Sequence, residues 1–264
     1  MIRLILKLVR MQARDALRSR WIAVYAGFFL MLSEGVLRFS DGDAKAVVSL
    51  GTATLMVVPL ATLVLATIYV YNARDFTELL LAQPIRRSSL FAGLYLGLAL
   101  PMAAAFVAGV GIPFLARGGG DPAQRGAIVT LIVLGAVLTF VFTALAFCIA
   151  HWADDRLRGL GVALGVWLLA ALLYDGVVLL AVAVFADYPI ERPLLALTFA
   201  NPIDLARVLL LLRLDIAALM GYTGAVFNRF FGSAAGSAIA ATALALWIGA
   251  PVAIGARQFR RKDF

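Results

Sequence analysis

Six long apolar runs, separated by short charged segments, constrain the fold of this chain more than any other feature of its sequence. Each run is close to the ~20 residues that a helix needs to cross a bilayer. The runs are apolar all round and lack the alternation of membrane β-strands, so each is predicted to be a helix. The predicted spans lie at about Trp21–Leu37, Ala46–Tyr71, Leu90–Leu115, Ala127–Ala150, Leu160–Ala186 and Ala234–Ala256.

Composition supports the same fold class. Of the 264 residues 63% are hydrophobic and only 14% are charged, and the mean hydropathy is +0.97. Soluble domains are nearer half apolar and a quarter charged. We therefore predict an all-α integral membrane protein that contacts the lipid bilayer, with residues 1–264 forming a single transmembrane domain.

The distribution of cations predicts the orientation. Fifteen of the 23 Lys and Arg residues lie on the side of the amino terminus if the six spans alternate in direction. Four of the other eight lie in one long segment, 187–233, whose charges have less influence on topology. Both termini are therefore predicted to be cytoplasmic, and 187–233 to be a long extracytoplasmic loop. This asymmetry accounts for the net charge of +8 without a nucleic-acid partner.

Residues 1–20 are predicted to form an amphipathic interfacial helix. Such a helix places its apolar face among the headgroups and its cations toward anionic lipid. A signal peptide is the alternative, but no small-residue cleavage site follows the first apolar run. The cations of one face are Arg3, Lys7, Arg10, Arg14 and Arg18, and the apolar residues of the other are Ile2, Ile5, Leu6, Val9, Ala13, Ala16 and Leu17.

Few residues are available for metal binding or catalysis. Cys148 and His151 share a helix face and could contact a soft metal, but two ligands make a poor site, so we predict no bound metal. No lysine precedes Ser or Thr, which excludes a P-loop ATPase. A catalytic triad would have to use the sole histidine, and no nucleophile motif surrounds it. The chain is therefore predicted not to be an enzyme.

Two acidic residues lie within predicted spans. Glu34 is late in the first span and Asp175 is deep in the fifth. Charges in the bilayer are costly and usually face protein or a cavity. Each residue has two interpretations: a proton or cation site, or a structural role, with Asp175 hydrogen-bonded to a neighbour and Glu34 at the outer interface.

Gly-x-x-x-Gly spacing, which permits close approach of two helices, occurs at Gly93/Gly97, Gly161/Gly165 and Gly232/Gly236. With 23 glycines in the chain, chance or local packing is the alternative explanation.

The segment 72–88, between the second and third spans, is predicted to contain a short cytoplasmic helix. Asp75 is suited to cap it, with Glu78 reaching back in a capping box. Leu79–Leu81 provide an apolar surface, and Pro84 prevents continuation. The result is a short rod that resembles a coupling helix, by which a transporter's membrane subunit sits in a groove of a separate ATPase.

The sequence "FTELLLAQPIRR" resembles the T-x-E-L-L-L-x-x-P-(V/I)-x-R signature of ABC-2 type permeases through Thr77, Leu79–Leu81, Pro84, Ile85 and Arg87. It departs from the commoner form because Glu78 directly follows Thr77 and Phe76 replaces a glycine. The resemblance implies two copies of a cytoplasmic ATPase, which bind ATP and Mg, and no cofactor on this chain. The implied ATPase-coupling residues are Asp75, Phe76, Thr77, Glu78, Leu79, Leu80, Leu81, Pro84 and Arg87.

The segment 187–233 carries a second resemblance, through Asn201, Pro202, Asp204 and residues 219–227. It is similar to the permeases of the ABC transporter that matures the copper sites of nitrous oxide reductase, in the bacterial inner membrane. That family implies a second copy of this chain, a periplasmic β-helical copper-delivery protein and a copper chaperone, with copper belonging to the pathway only. The implied docking residues for the periplasmic partner are Asn201, Pro202, Asp204, Met220, Tyr222 and Phe227.

Charges within 187–233 leave no uncharged stretch long enough to span, so the segment is predicted to be a docking surface, a re-entrant hairpin or both. The predicted function is a permease that couples ATP hydrolysis to transport or to motion of the periplasmic partner. The alternatives are an ABC-2 exporter of another substrate and an ion-coupled secondary transporter that uses Asp175. An intramembrane enzyme is disfavoured by the missing catalytic groups.

Overall fold

A computed structural model of the chain describes residues 2–40, 43–82, 86–117, 122–185, 191–214, 227 and 229–261. The ordered elements within these residues are α-helices and one π-helical turn at Leu169–Leu173. The α-helices are α1 (Ile2–Arg18), α2 (Arg20–Phe39), α3 (Asp43–Asn72), α4 (Arg74–Leu81), α5 (Arg87–Ala116), α6 (Pro122–Trp152), α7 (Arg156–Leu168), α8 (Tyr174–Val184), α9 (Glu191–Ala200), α10 (Pro202–Arg213) and α11 (Ala234–Arg261).

The six predicted spans are confirmed. In the part of the chain that the structure describes, six helical segments are long and apolar enough to cross a membrane. Span five consists of α7, the π turn and α8. Most of the helices extend a few residues beyond the apolar runs, since the ladder of backbone hydrogen bonds continues into the flanking residues, whereas span five ends at Val184, before the end of its predicted run. Spans one to six are Arg20–Phe39, Lys45–Asn72, Arg87–Ala116, Arg125–Trp152, Arg156–Val184 and Ala234–Arg261.

Spans three and four form the centre of the bundle. Helix α5 packs against α1, α2, α6 and α11, and α6 also contacts α3 and α10. The ring of Phe29 meets that of Phe106 edge-on at 5.0 Å between centroids, and Gly109 lets α2 approach closely, since an added Cβ would lie 2.8 Å from Phe29 Cβ. In the most apolar stretch of each span, 61% of span three is buried but only 6% of span five. Span five therefore lies at the periphery of the single chain.

Helix α1 packs along the first turns of α5. Its buried stripe is Leu8, Gln12 and Ala16, and Gly93 and Gly97 provide the groove, since an added Cβ at Gly93 would lie 2.8 Å from Leu8 Cβ. The Gly93/Gly97 pair therefore serves local packing.

The faces of α1 differ in part from the prediction. The cations Lys7, Arg10, Arg14 and Arg18 are exposed, as predicted. Leu6, assigned to the apolar face, is 60% exposed, whereas Leu8 and Gln12, assigned to neither face, are buried. The reason is that α5, rather than lipid alone, covers one side of α1. The position of α1 at the bilayer surface stays a prediction.

Polar contacts join helix ends on both sides of the bundle. At one end Arg87 Nη1 donates to the carbonyl of Arg260, 2.9 Å away, which links the start of α5 to the end of α11. At the other end Arg117, just after α5, donates to the Leu37 carbonyl at 2.9 Å. The helix α4 and the carboxyl end of α11 therefore lie at the same end, as the alternating topology requires.

The described part of 187–233 is helical. Helices α9 and α10 meet at an angle of 114° across Asn201, and α10 packs on α3 and α6. Ile203, Leu205, Ala206 and Leu210 are buried in this packing. The pair has the form of a re-entrant hairpin or a broken span, which agrees with the re-entrant interpretation of 187–233, and the extracytoplasmic location of this segment stays a prediction.

Candidate coupling helix and re-entrant hairpin

The start of α4 differs from the predicted capping box. The helix begins at Arg74, and its N-cap residue is Ala73, which makes no side-chain cap. Asp75 therefore lies inside the first turn, where its charge complements the positive end of the helix dipole. The cause is the short connection: α3 ends at Asn72, so only Ala73 separates the two helices.

The two faces of α4 are distinct. Thr77 is buried, and its hydroxyl donates to the Ala73 carbonyl at 2.7 Å. Leu80 and Leu81 pack against the core. Leu79 and Phe76, by contrast, are 70% and 38% exposed. The helix therefore presents an apolar pair to solvent, and the exposed residues Asp75 and Glu78 flank it.

Arg74 holds α4 against the end of span four, a contact that the sequence reasoning missed. Its Nη1 donates to the Asp154 carbonyl at 2.8 Å, and its Nη2 lies 3.3 Å from the Ala150 carbonyl and 3.2 Å from that of Ala153. The guanidinium also stacks over the Tyr71 ring, 4.5 Å from its centroid. A cation that donates to carbonyls at a helix carboxyl end satisfies groups that the helix itself leaves unpaired.

The start of span five belongs to the same contact region. The Tyr71 hydroxyl donates to the Ala153 carbonyl at 2.9 Å, and an added Cβ at Gly159 would overlap the Tyr71 hydroxyl. Asp155 caps α7 by accepting from the Arg158 amide at 3.0 Å. The end of α3, the start of α4 and the turn between spans four and five thus meet at one point.

The bend between α9 and α10 at Asn201, called the elbow of the hairpin, contacts the middle of span five. Asn201 Nδ2 donates to the Ala170 carbonyl at 2.7 Å, and its Oδ1 accepts from the Ile203 amide at 3.0 Å. Ala170 lies in the π turn, whose wider winding changes the partners of its backbone carbonyls. Because Ala170 is central in Arg156–Val184, the elbow lies at mid-depth in the bundle.

Two further side chains hold the end of α9. The Tyr174 hydroxyl donates to the Leu197 carbonyl at 2.6 Å, and Trp247 Nε1 donates to the Phe199 carbonyl at 3.1 Å. Both carbonyls belong to the last turn of α9, which has no further helical partners for them. Spans five and six therefore fix the hairpin together.

Asp175 is part of an ion cluster with the hairpin. Arg207 Nη1 lies 2.9 and 2.8 Å from the two carboxylate oxygens of Asp175, and 3.0 Å from Asp204 Oδ1. About a third of the Asp175 and Arg207 side chains is exposed, and less of Asp204. The arrangement favours the structural interpretation of Asp175, whose partner is the Arg207 guanidinium.

Three of the predicted docking residues, Asn201, Pro202 and Phe227, are buried in the single chain. Asn201 bonds to span five through the Ala170 carbonyl, and docking of a periplasmic partner on these residues stays a prediction. Met220 and Tyr222 lie outside the described residues.

Glu34 lies at the end of the bundle opposite α4. Its Oε1 accepts from Arg38 at 2.7 Å and from Arg117 at 3.0 Å. Since Arg117 also bonds the Leu37 carbonyl, the cluster ties the ends of spans one and three. This geometry favours the interfacial interpretation of Glu34.

Cys148 and His151 have separate partners. The thiol donates to the Pro251 carbonyl at 2.9 Å, whereas His151 Nδ1 lies against the Phe147 carbonyl and its ring packs among Phe147 and Phe259. Within the described residues, no three His, Cys, Asp or Glu side chains come together as a metal-binding group.

A cavity of about 450 Å³ lies between the elbow, span five, α6 and α11. Its lining is mostly apolar, and the polar groups of Tyr174, Asn201 and Trp247 are engaged with backbone carbonyls. The cavity therefore has the character of an apolar pocket at mid-depth.

A bundle of six apolar spans, with an exposed short helix at one end and a broken helix pair entering at mid-depth, has the architecture of a transporter's membrane subunit. Residues 76–264 match the family described as ABC-2 family transporter protein, and the chain belongs to that family.

Two curated proteins are similar along almost the whole chain. The "Probable ABC transporter permease protein NosY" of Pseudomonas aeruginosa is 31% identical, over 97% of each chain. The protein of the same name from Stutzerimonas stutzeri is 27% identical, again over 97% of each chain.

Part of this site was within reach of sequence reasoning. A cation at the first position of a short helix, beside a predicted helix end, is a visible signal for Arg74. Arg207 is three residues from Asp204, a spacing that favours an ion pair on one helix face. No local pattern indicates that Arg207 also reaches Asp175, 32 residues away.

Proposed function

We propose that this chain is the permease subunit of an ABC transporter that assembles the copper centres of nitrous oxide reductase. A separate cytoplasmic ATPase, in two copies, drives it by docking on α4. The observation that supports this most directly is the exposed Phe76 and Leu79 pair on α4, flanked by Asp75 and Glu78. An apolar centre with charged neighbours is suited to a small protein interface. The relatives named NosY are the ground for the pathway.

A second copy of this chain completes the membrane part. Span five is barely buried in the single chain, and nothing lies within 4 Å of a Cβ added at Gly161 or Gly165. Small residues at this spacing let two membrane helices approach closely. We assign this surface of span five to the homodimer.

The work of ATP hydrolysis is passed to a periplasmic partner as motion, or used for transport. The hairpin supports the first mode, because Asn201, Tyr174 and Arg207 bind it to span five. The partner is a β-helical protein that receives copper from a chaperone. It docks on exposed parts of 187–233, with Met220 and Tyr222 as the residues proposed from the sequence.

Two alternative functions are an exporter of another substrate and an ion-coupled carrier. An ABC-2 exporter of another substrate would use the same coupling helix and the cavity at mid-depth. The ion-coupled carrier loses support, since Arg207 engages both carboxylate oxygens of Asp175.

The test is to purify the tagged chain from its native membrane and to delete its gene in parallel. We expect an ABC ATPase and a second copy to copurify, and nitrous oxide reductase from the deletion strain to lack copper. If the ATPase copurifies but the reductase of the deletion strain has normal copper, the assignment as a permease stands and the assignment to the copper pathway is overturned. Absence of any ATPase would overturn both.

A further inference from the structure

Helix α4 is attached to the bundle at three places. Its amino end follows α3 after Ala73, its buried Thr77, Leu80 and Leu81 pack inward, and Arg74 binds the turn between spans four and five. The first two attachments tie α4 to its own neighbours in the chain and to the core. The third joins it to the turn that precedes span five, and beside it the end of α3 contacts the start of α7, where Arg156 Nη1 lies 3.4 Å from Asn72 Oδ1.

The chemistry of this attachment requires arginine. One planar guanidinium serves carbonyls of Ala150, Ala153 and Asp154 and stacks on Tyr71. An ammonium group is a compact charge without a planar face, so lysine cannot make both the hydrogen bonds of the two guanidinium nitrogens and the stacking contact. Charge alone is therefore insufficient at position 74.

The attached turn controls the inner end of span five. Asp155 caps α7, and Gly159 lies against the hydroxyl of Tyr71. In its first half span five packs on α3, where Trp167 Nε1 donates to the Met56 carbonyl at 3.0 Å, and further along it is bound by the elbow at Ala170 and the ion pair at Asp175. Span five therefore connects the turn at its inner end to the hairpin.

We propose that Arg74 is the positioning residue through which α4 and the start of span five move as one body. The proposal rests on the proposed function, in which the ATPase displaces α4. When the ATPase displaces α4, Arg74 makes span five move with it, and the contact at the elbow then moves the hairpin.

The test uses the full chain in nanodiscs, with Cys148 replaced by Ser and spin labels at cysteines replacing exposed Ala82, next to α4, and exposed Leu157, in α7. Distances are measured in Arg74→Ala, Arg74→Lys and the parent. Arg158→Ala is the matched control, since its side chain is exposed on α7. We expect one narrow distance distribution in the parent and the control, and a broadened one in both Arg74 variants. An unchanged distribution in Arg74→Ala would overturn the proposal.

The same labels are then measured with the copurified ATPase, with and without a non-hydrolysable ATP analogue. A second label pair joins Leu157 to exposed Arg257 of α11. We expect the analogue to shift the Leu157–Arg257 distance in the parent and not in Arg74→Lys, although the ATPase remains bound. A full shift in Arg74→Lys would contradict the coupling role. Failure of the ATPase to bind the parent would overturn the proposed function, whereas the measurement without ATPase would still decide whether Arg74 holds the two elements together.

Discussion

Arg207 of the hairpin lies within 2.9 Å of both carboxylate oxygens of Asp175 in span five, while the same nitrogen contacts Asp204 at 3.0 Å. One guanidinium thus serves two carboxylates at the contact between a spanning helix and a re-entrant helix. Its loss leaves two acids without a cation, whereas loss of Asp175 leaves Arg207 with one partner. Loss of Arg207 is therefore expected to cost more stability than loss of Asp175.

We predict that Arg207→Gln destabilises the protein more than Asp175→Asn. Partial exposure places the effects between those of surface and buried pairs, at about 2–3 kcal/mol for the first and about 1–2 kcal/mol for the second. The double variant should recover part of the loss. Thermal unfolding in detergent measures all three, with Arg38→Gln as the control, since Glu34 keeps Arg117 there. An Asp175→Asn variant less stable than Arg207→Gln would contradict the assignment.

Substitutions on the exposed face of α4 are expected to weaken ATPase binding without unfolding the chain. Leu79→Asp and Glu78→Arg both change exposed side chains, and such a change at an interface centre costs about 2 kcal/mol or more, roughly 30-fold in affinity. Leu80→Asp should instead lower stability, because Leu80 packs on the core.

Copurification of the ATPase and thermal unfolding separate these outcomes. Leu157→Asp is the matched control, since Leu157 is 79% exposed at the same end of the bundle but lies on α7. Normal ATPase binding by both α4 surface variants would show that this face is not the docking site.

The exposed glycine pair of span five should be required for the dimer. Gly161→Leu with Gly165→Leu fills the open groove, and it improves helix propensity at both positions. We expect loss of the dimer in light scattering, with little change in the unfolding temperature. Gly93→Leu is the contrasting control, because the new side chain would clash with Leu8 and should lower the stability of the single chain. A persistent dimer in the double variant would move the interface elsewhere.

The purified permease–ATPase pair, without a periplasmic subunit, is expected to bind no stoichiometric Cu(I). Cu(I) prefers thiolate, thioether and imidazole ligands, and Cys148 and His151 are engaged with different backbone carbonyls. Copper content and Cu(I) titration provide the measurement. Tight binding that disappears in Cys148→Ser with His151→Ala would make that pair a metal site.

The orientation is tested by labelling intact cells. Tags at residues 1 and 264 should be protected from impermeant reagents, while a cysteine introduced at Arg117 should react, because the positive-inside asymmetry places the α4 end in the cytoplasm. A cysteine at Leu157 provides the control for the cytoplasmic side. Labelling of both termini from outside would reverse the assigned topology.

Local sequence patterns were sufficient to predict the six spans, the short helix between spans two and three, and the family. These features depend on local properties: the apolar length needed to cross a bilayer, and a contiguous motif such as "TELLL". The eight residues of α4 lie within the segment 72–88 in which a short helix is predicted, although its first residue did not follow from the capping pattern, because the end of α3 sets it.

The partners of the polar residues depend on the tertiary structure. Arg74 meets carbonyls about 80 positions away, and Asn201 finds its partner at Ala170 in a π turn that no sequence pattern indicated. Helix α1 likewise buries Gln12, whose side chain accepts from the Tyr69 hydroxyl, because α5 and α3 enclose it. Hydrophobic length specifies which segments enter the bilayer, since each segment partitions largely on its own composition. Arg74, Asn201 and Gln12 bond to groups on distant helices, and only the packing of those helices determines which group each of them meets.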